Sequence, residues 1–424
     1  MEIYTVKEGD TLYSIASHYG ISVDRLIYDN QLNTDGILAE GQALLILIPK
    51  LIHRVKHGQS VTSIAASYDV PVKQIYQNNP YLLNQKYITE GDFIVISYTG
   101  EPSLNLKSTG YAYPYIRKDI LREALLYLDE LRIFSYGFNE NGNLIPPVNE
   151  DPILTETKDF GVSPVLVLTP LSAEGTFNNQ LVKVLVENKD AQEQLANELL
   201  EVMRSKGYEG VDVDFEYILA ENREGYAEFI SYLSEKLSVE GFRVSVSLAP
   251  KISADQPGVL YEGVDYQLLG EAADSVFLMT YEWGYTYGPP MAVAPIDKVR
   301  QVLDYAVKEI PRYKIYMGIP NYGYDWTLPF ERGVSRARVL GNVEAIELAI
   351  RNRADILFDE TAQSPHFTYV IDQVQHEVWF EDVRSMKVKY ETAGEYLFFG
   401  IGYWNLMRPF RANWLLLNHL VNQT

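Results

Sequence analysis

Gly207-Tyr208-Glu209-Gly210-Val211-Asp212-Val213-Asp214-Phe215-Glu216-Tyr217 is the stretch whose reading decides the fold. From Val211 to Glu216 apolar and acidic residues alternate strictly. Alternate side chains of a β-strand point to opposite faces. Val211, Val213 and Phe215 therefore share a face that needs apolar cover, and Asp212, Asp214 and Glu216 share the other. Three carboxylates on one strand face repel and raise each other's pKa. Structure alone gives little reason to accept that cost. A hydrolase that needs one protonated acid beside an ionised carboxylate has one. A calcium site or a solvated edge strand are the alternatives, because hard cations favour carboxylate clusters. The flanking Val and Phe argue for a buried strand, and no Gly-rich loop of calcium-site spacing is present.

Outward from this strand, short apolar runs alternate with amphipathic stretches from about residue 104 to the C-terminus. Eight strands are expected: Leu104–Ala112, Arg132–Tyr136, Pro164–Leu168, Gly210–Glu216, Arg243–Ala249, Ser275–Tyr281, Lys314–Pro320 and Gly400–Asn405. Helical patterns fall between them at Arg117–Glu130, Asp190–Lys206, Arg223–Leu237, Ile296–Glu309 and Val383–Ala393. Eight strands alternating with helices over residues 104–424 fit a (β/α)8 TIM barrel better than an open sheet. Active sites of such barrels lie at the C-terminal strand ends, which is where Glu216 falls. Aromatic residues collect at other strand ends: Met279-Thr280-Tyr281-Glu282-Trp283, Asn321-Tyr322-Gly323-Tyr324-Asp325-Trp326 and Gly402-Tyr403-Trp404. Any one of the 32 tyrosines can be core filler, but rings gathered at a barrel mouth offer faces to the C–H faces of sugars.

The chain has 424 residues, 47% hydrophobic and 22% charged, with a formal net charge of −21. That balance suits a soluble globular protein and makes nucleic acid an unlikely partner, since nucleic acid needs a basic face. With no cysteine, disulfides, thiolate catalysis and zinc–cysteine sites are excluded. No cofactor or metal is expected. No apolar run is long enough to span a bilayer, so no membrane partner is expected. Met1–Asp10 has neither a basic n-region nor an apolar h-region, so any export is expected to be non-classical or to follow lysis.

The first hundred residues carry a repeat. Tyr4–Tyr19 and His53–Tyr68 align with Gly9 on Gly58, Ile15 on Ile64, Ala16 on Ala65 and Tyr19 on Tyr68. Asn30 matches Asn79, and Glu40-Gly41 matches Glu90-Gly91. Each unit reads as a short strand (Tyr4–Val6, Arg54–Lys56), a Gly turn and a helix starting near Thr11 or Ser60. A second helix (Val23–Asn30, Val72–Asn78) and a closing strand (Ala43–Ile48, Phe93–Ile96) follow. Residues 2–48 and 53–98 each resemble the LysM module. The resemblance implies a βααβ fold that binds N-acetylglucosamine glycans such as peptidoglycan or chitin. It also implies a groove at Gly9, Asp10, Thr11, Leu12, Leu32 and Ile37, and at Gly58, Gln59, Ser60, Val61, Leu82 and Ile88. Two modest sites in tandem would give avidity on a polymer.

The large unit, residues 104–424, resembles glycoside hydrolase family 18. That family's Asp-Gly-x-Asp-x-Asp-x-Glu signature reads here from Glu209 to Glu216, with Glu209 for the first Asp. Its Met-x-Tyr-Asp pattern appears as Met279-Thr280-Tyr281-Glu282, and its eighth-strand Trp as Trp404. The modules, together with the segment His376–Asp382, resemble a spore-associated branch of N-acetylglucosaminidases acting on cortex peptidoglycan, which implies a spore or cell-wall location.

In that family the substrate supplies the nucleophile. The resemblance implies that the acetamido oxygen of the sugar attacks its own anomeric carbon, gaining effective molarity. Glu216 then protonates the leaving oxygen and later acts as base toward water. Asp214 accepts the acetamido N–H, and Tyr281 donates to the acetamido oxygen. Asp212 shares a proton with Asp214, and Trp404 forms the floor. Glu282, Trp283, Tyr136, Asn321, Tyr322, Tyr324 and Asp325 are further candidates for contact with substrate. Glu209 and Glu282 are one methylene longer than the family's Asp. The segment from about 327 to 382 is too long for a simple connection, and a strand pair His366–Val370 and His376–Phe380 resembles the family's inserted α+β subdomain. A chitinase, a lectin that has lost turnover, and a two-carboxylate mechanism with Asp214 as nucleophile are the competing readings.

Overall fold

The computed structural model describes residues 1–171, 178 and 180–422. The strand that carries Asp212 is central to a closed barrel. Its eight parallel strands are β1 (Lys107–Ala112), β2 (Glu130–Phe138), β3 (Ser163–Leu168), β4 (Gly210–Val213), β5 (Arg243–Leu248), β6 (Ser275–Leu278), β7 (Ile315–Pro320) and β8 (Gly400–Trp404). Each pairs in parallel with its sequence neighbour, and β8 pairs with β1 to close the ring. Both faces of such strands are buried, which is why they read as nearly continuous apolar runs. Val211 and Val213 are fully buried in the large core, as a strand inside a barrel requires. A solvated edge strand is ruled out there. Among the described residues no cluster of His, Cys, Asp and Glu could hold a metal ion, and no helix is long and apolar enough to cross a membrane.

Several expected boundaries move: β4 ends at Val213 short of Glu216, and β6 at Leu278 short of Tyr281. The first helix covers Lys118–Leu125, and Glu130 starts β2 instead of ending that helix. β1 begins at Lys107, while Leu104 forms only an isolated bridge to Val421.

The two N-terminal units have matching local chemistry. In each, a capping box starts the first helix: Thr11 and Ser14 bond each other's backbone N–H at 3.0 Å, and Ser60 and Ser63 do the same at 3.1 and 2.9 Å. The first unit's strands, Glu2–Thr5 and Ala43–Ile46, pair antiparallel. In the second, Pro49–Arg54 pairs with Phe93–Tyr98. Its first strand thus lies earlier than the expected Arg54–Lys56 and takes up residues 49–52, between the two expected units.

Neither unit hangs free. Ala43, Leu45, Leu47, Val95 and Tyr98 belong to the same apolar core as the barrel. Arg25 of the first unit donates to Asp29 at 2.7 Å and to the Asn78 carbonyl of the second at 2.6 Å. Arg411 of the barrel donates to Glu123 and the Tyr28 carbonyl and lies 3.8 Å over the Tyr28 ring.

Between β7 and the helix Val383–Glu395 an insertion forms a five-stranded antiparallel sheet with the helix Asn342–Asn352. It begins at Gly323, earlier than expected, because Gly323–Thr327 is a strand of it. The hairpin Ser364–Ile371 and Val374–Trp379 turns on Asp372-Gln373, both at positive φ, the geometry of a two-residue hairpin turn. This sheet touches the first N-terminal unit, where the Ile356 N–H donates to the Glu40 carbonyl at 2.8 Å.

Candidate active site

The C-terminal mouth of the barrel holds a cavity of about 340 Å³ lined by Asp214, Glu216, Tyr281, Glu282 and Trp404, with Tyr111, Tyr113, Phe134, Ser247, Tyr261 and Met279. β4 ends at Val213, so Asp214 and Glu216 lie just past the strand. The Asp214 N–H still bonds the Leu168 carbonyl at 2.9 Å, which keeps the alternation in step. Phe215 accordingly stays in the core, stacked against Tyr226 and Phe229.

Asp212 lies beneath the cavity, fully buried. Its Oδ1 accepts from Arg132 at 2.7 Å, and its Oδ2 accepts from Tyr111 at 2.8 Å and Ser247 at 3.0 Å. Asp214 is also buried, and its Oδ1 meets no hydrogen-bond partner among the described residues. The expected proton sharing between Asp212 and Asp214 therefore has no hydrogen bond behind it there. Burial raises the Asp214 carboxyl well above the usual range, and the charges of Glu216 and then Asp212 push it further. Glu216 is half-buried at the cleft wall. Crowding by protein, and then the charge of Glu282, raise its pKa.

Glu282 takes the left-handed backbone region, φ 70°. Water reaches it from the open cleft, while Tyr322 and Tyr324 both donate to its carboxylate, Tyr324 at 2.9 Å. Crowding raises its pKa and these two hydrogen bonds pull it partly back. Trp404 forms one wall, edge-on to Tyr111, Phe134 and Tyr113 with centroids 5.5, 5.2 and 6.3 Å away. Tyr281 is buried beside the acids, and burial holds its hydroxyl protonated by raising its pKa.

Four expected contact residues lie elsewhere. Tyr136 is 1% exposed and donates to Glu150 at 2.5 Å. The β2–β3 register is irregular between Ile133 and Tyr136, and a break in pairing reverses which side chains face the mouth. Phe134 lines the cavity in its place. Asn321 is buried, and its Nδ2 ties the carbonyls of Asn405 and Arg408 at 3.1 Å each. Asp325 faces the inserted sheet, bonded to Tyr369 and His376 at 2.9 Å each. Trp283 packs half-buried against the barrel core. Tyr322 and Tyr324 reach the cavity only through Glu282.

In the N-terminal units, Leu12 and Leu82 are core residues, 7% and 4% exposed, and cannot line a groove. Asp10 closes its own turn by accepting from Tyr4 and Lys7, and Gln59 does so by accepting from Lys56. Thr11 and Ser60 cap helices. Gly9 and Gly58 stand at positive φ with open space beside them. Leu32, Val61 and Ile88 are half-buried, and Ile37 is exposed. Tyr13 and Tyr87, 76% and 75% exposed beside these loops, are the aromatic candidates that motif matching missed. Tyr111, Tyr113, Ser247 and Arg132 were missed too. Their signal was alternation: Tyr111-Ala112-Tyr113, Ser245-Val246-Ser247, and a lone Arg inside an apolar strand.

A (β/α)8 barrel with clustered acids and an aromatic wall at its C-terminal mouth defines a glycoside hydrolase. The chain belongs to the glycosyl hydrolases family 18, whose model matches residues 174–408, and it carries two LysM domains at residues 4–47 and 53–97. It is 37% identical over 430 residues to the cortical fragment-lytic enzyme of Bacillus subtilis (strain 168), covering 100% of this chain and 98% of the relative. The crystal structure of the Bacillus megaterium QM B1551 spore cortex-lytic enzyme SleL matches with TM-score 0.84 and 35% identity, covering 100% of this chain and 98% of that one. A chitinase from Chromobacterium violaceum shares the barrel, with TM-score 0.68 and 24% identity over 74% of this chain and 98% of that one.

Proposed function

We propose that this enzyme cleaves the β-1,4 bonds that follow N-acetylglucosamine in spore cortex peptidoglycan fragments, at the spore or cell wall. The full-length likeness to a cortical fragment-lytic enzyme carries the substrate. The unpartnered, buried Asp214 oxygen beside Glu216 and Tyr281 supports the chemistry. Glu216 is the general acid; its crowded setting and then the charge of Glu282 raise its pKa and so favour the protonated form. Asp214 accepts the acetamido N–H, and the Tyr281 hydroxyl donates to the acetamido oxygen as that oxygen attacks the anomeric carbon. Trp404 bears the sugar's apolar face. Glu216 then takes a proton from the water that opens the cyclic intermediate, so configuration is retained. The LysM domains hold the enzyme on the glycan.

The test incubates the protein separately with cortex fragments, vegetative peptidoglycan and chitin oligomers and identifies new reducing ends by mass spectrometry. N-Acetylglucosamine ends from cortex fragments alone support the reading. Efficient cleavage of chitin moves the substrate to that polymer. Products that end in a muramic residue sink it.

A further inference from the structure

A guanidinium lies inside the barrel, where branched apolar side chains normally fill the layers. Arg132 on β2 is 1% exposed. Its Nη1 donates to Asp212 at 2.7 Å, Tyr111 at 3.0 Å and Ser245 at 3.2 Å, and its Nε donates to Thr109 at 3.2 Å. The rings of Phe277, Tyr316 and Tyr111 surround it at 5.1, 5.3 and 5.4 Å. The remaining Asp212 oxygen is held by Tyr111 and Ser247.

Each Asp212 oxygen thus faces a donor, and one of those donors is a cation that does not release its proton. Protonating Asp212 would strand that cation in the core, and an unpaired buried charge is strongly disfavoured. Glu130, the other carboxylate on β2, also favours the Arg132 charge, but it bonds Arg243 at 3.0 Å, and Asp212 is the carboxylate in contact with the Arg132 guanidinium.

We propose that Arg132 is a positioning residue for hydrolysis: its ion pair holds Asp212 ionised beneath Asp214, so that a proton held between the two acids rests on Asp214, toward Glu216 and the bound sugar. This rests on the glycosidase reading above and assigns a bias to the Asp212–Asp214 pair expected from the sequence. The groups facing this core are Asp214 on the same segment, Tyr111 on β1, Glu130 on β2, Ser245 and Ser247 on β5, Tyr281 after β6, Tyr316 on β7 and Tyr226 outside β4. Glu216 and Glu282 stand above, at the mouth. Burial raises the hydroxyls of Tyr111, Tyr226, Tyr281 and Tyr316 above their ordinary range, which keeps them protonated through neutral pH. Arg132 opposes the upward push on Asp214.

The test measures kcat/KM against pH on soluble cortex fragments for the full-length protein and for Arg132→Met, Arg132→Lys, Asp212→Asn and the Arg132→Met/Asp212→Asn double variant. Near-UV circular dichroism checks each fold. Arg132→Met leaves Asp212 uncompensated, so both pH limbs move up by about one unit or more. Asp212→Asn leaves the guanidinium uncompensated, so both limbs move down. The double variant removes both charges and brings the limbs back toward wild type. Arg132→Lys keeps the charge and the limbs while kcat falls.

A folded Arg132→Met with wild-type limbs overturns the proposal. Should that variant not fold, Asp212→Asn and the double variant decide: limbs unmoved in the first, or not restored in the second, also overturn it. A wild-type enzyme that cleaves none of the glycans refutes the hydrolase reading itself, whereas turnover with unmoved limbs refutes only the role of Arg132.

Discussion

Replacing Gly41 by alanine tests whether the first LysM domain is docked on the barrel's insertion as described. Gly41 has φ 78°, and a Cβ there would lie 1.8 Å from the Ile356 carbonyl oxygen and 2.8 Å from its carbon. Both are backbone atoms, so neither can swing aside. The left-handed backbone costs a non-glycine residue about 1–2 kcal/mol. Relieving the clash costs about 1–3 kcal/mol as overpacking, or else parts the chains and loses the bond from the Ile356 N–H to Glu40, worth about 1 kcal/mol. The interface term is therefore about 1–3 kcal/mol, which corresponds to roughly 5- to 150-fold in opening.

The assay is amide hydrogen exchange at Ile356, expected to accelerate by that factor. Gly91, the repeat-equivalent position, has φ 98° and nothing within 4 Å of a built Cβ. Gly91→Ala should bear the backbone term alone, lower the melting temperature and leave Ile356 exchange as it was. Unchanged exchange in Gly41→Ala, or equal acceleration in both variants, would refute the docking.

Glu282→Gln removes the charge that raises Glu216, so the basic limb of kcat/KM should move to lower pH by up to about one unit. Glu216→Gln should abolish turnover yet raise the melting temperature at pH 7. A carboxyl whose folded pKa is raised contributes stability that is complete below its unfolded value of about 4.3 and is lost as pH rises through the folded value. The gain from Gln should accordingly vanish at pH 4, and calorimetry at both pH values checks it. Arg25→Met strands the buried Asp29, 3% exposed, and should cost about 3–5 kcal/mol in urea unfolding. Tyr13→Ala and Tyr87→Ala should weaken pelleting with insoluble peptidoglycan while leaving cleavage of soluble fragments unchanged, as measured by sedimentation and product release.

The barrel was legible in the sequence because its strands are buried on both faces, and the acids because β4 keeps a strict period of two. Trp404, Tyr281 and Glu282 were found because strand ends converge on one mouth. Tyr136 failed because counting by twos breaks where β2 and β3 lose register. Asn321 and Asp325 failed because the insertion starts at Gly323, which turns their side chains to straps and sheet contacts that no local pattern announces. Leu12 and Leu82 failed for a different reason: a motif marks loop positions but does not tell which side chain of a loop turns inward. The partner of Asp212 lies 80 residues upstream, and such a pairing follows only from closure of the ring.

The shared apolar core of barrel and LysM domains bears on modularity. In sequence the two repeats look like a detachable cassette. In the fold, Ala43, Leu45, Leu47, Val95 and Tyr98 join one continuous apolar core with the catalytic unit, whose helices Val383–Glu395 and Arg411–Leu420 the N-terminal units meet, and Arg25 and Arg411 rivet the joints. Excising the cassette would uncover apolar surface on the catalytic unit, and grafting it onto another barrel would leave its inner face without a mate. Exchange between proteins of this kind must carry both sides of the seam together, so residues far from any sugar are bound to change in concert.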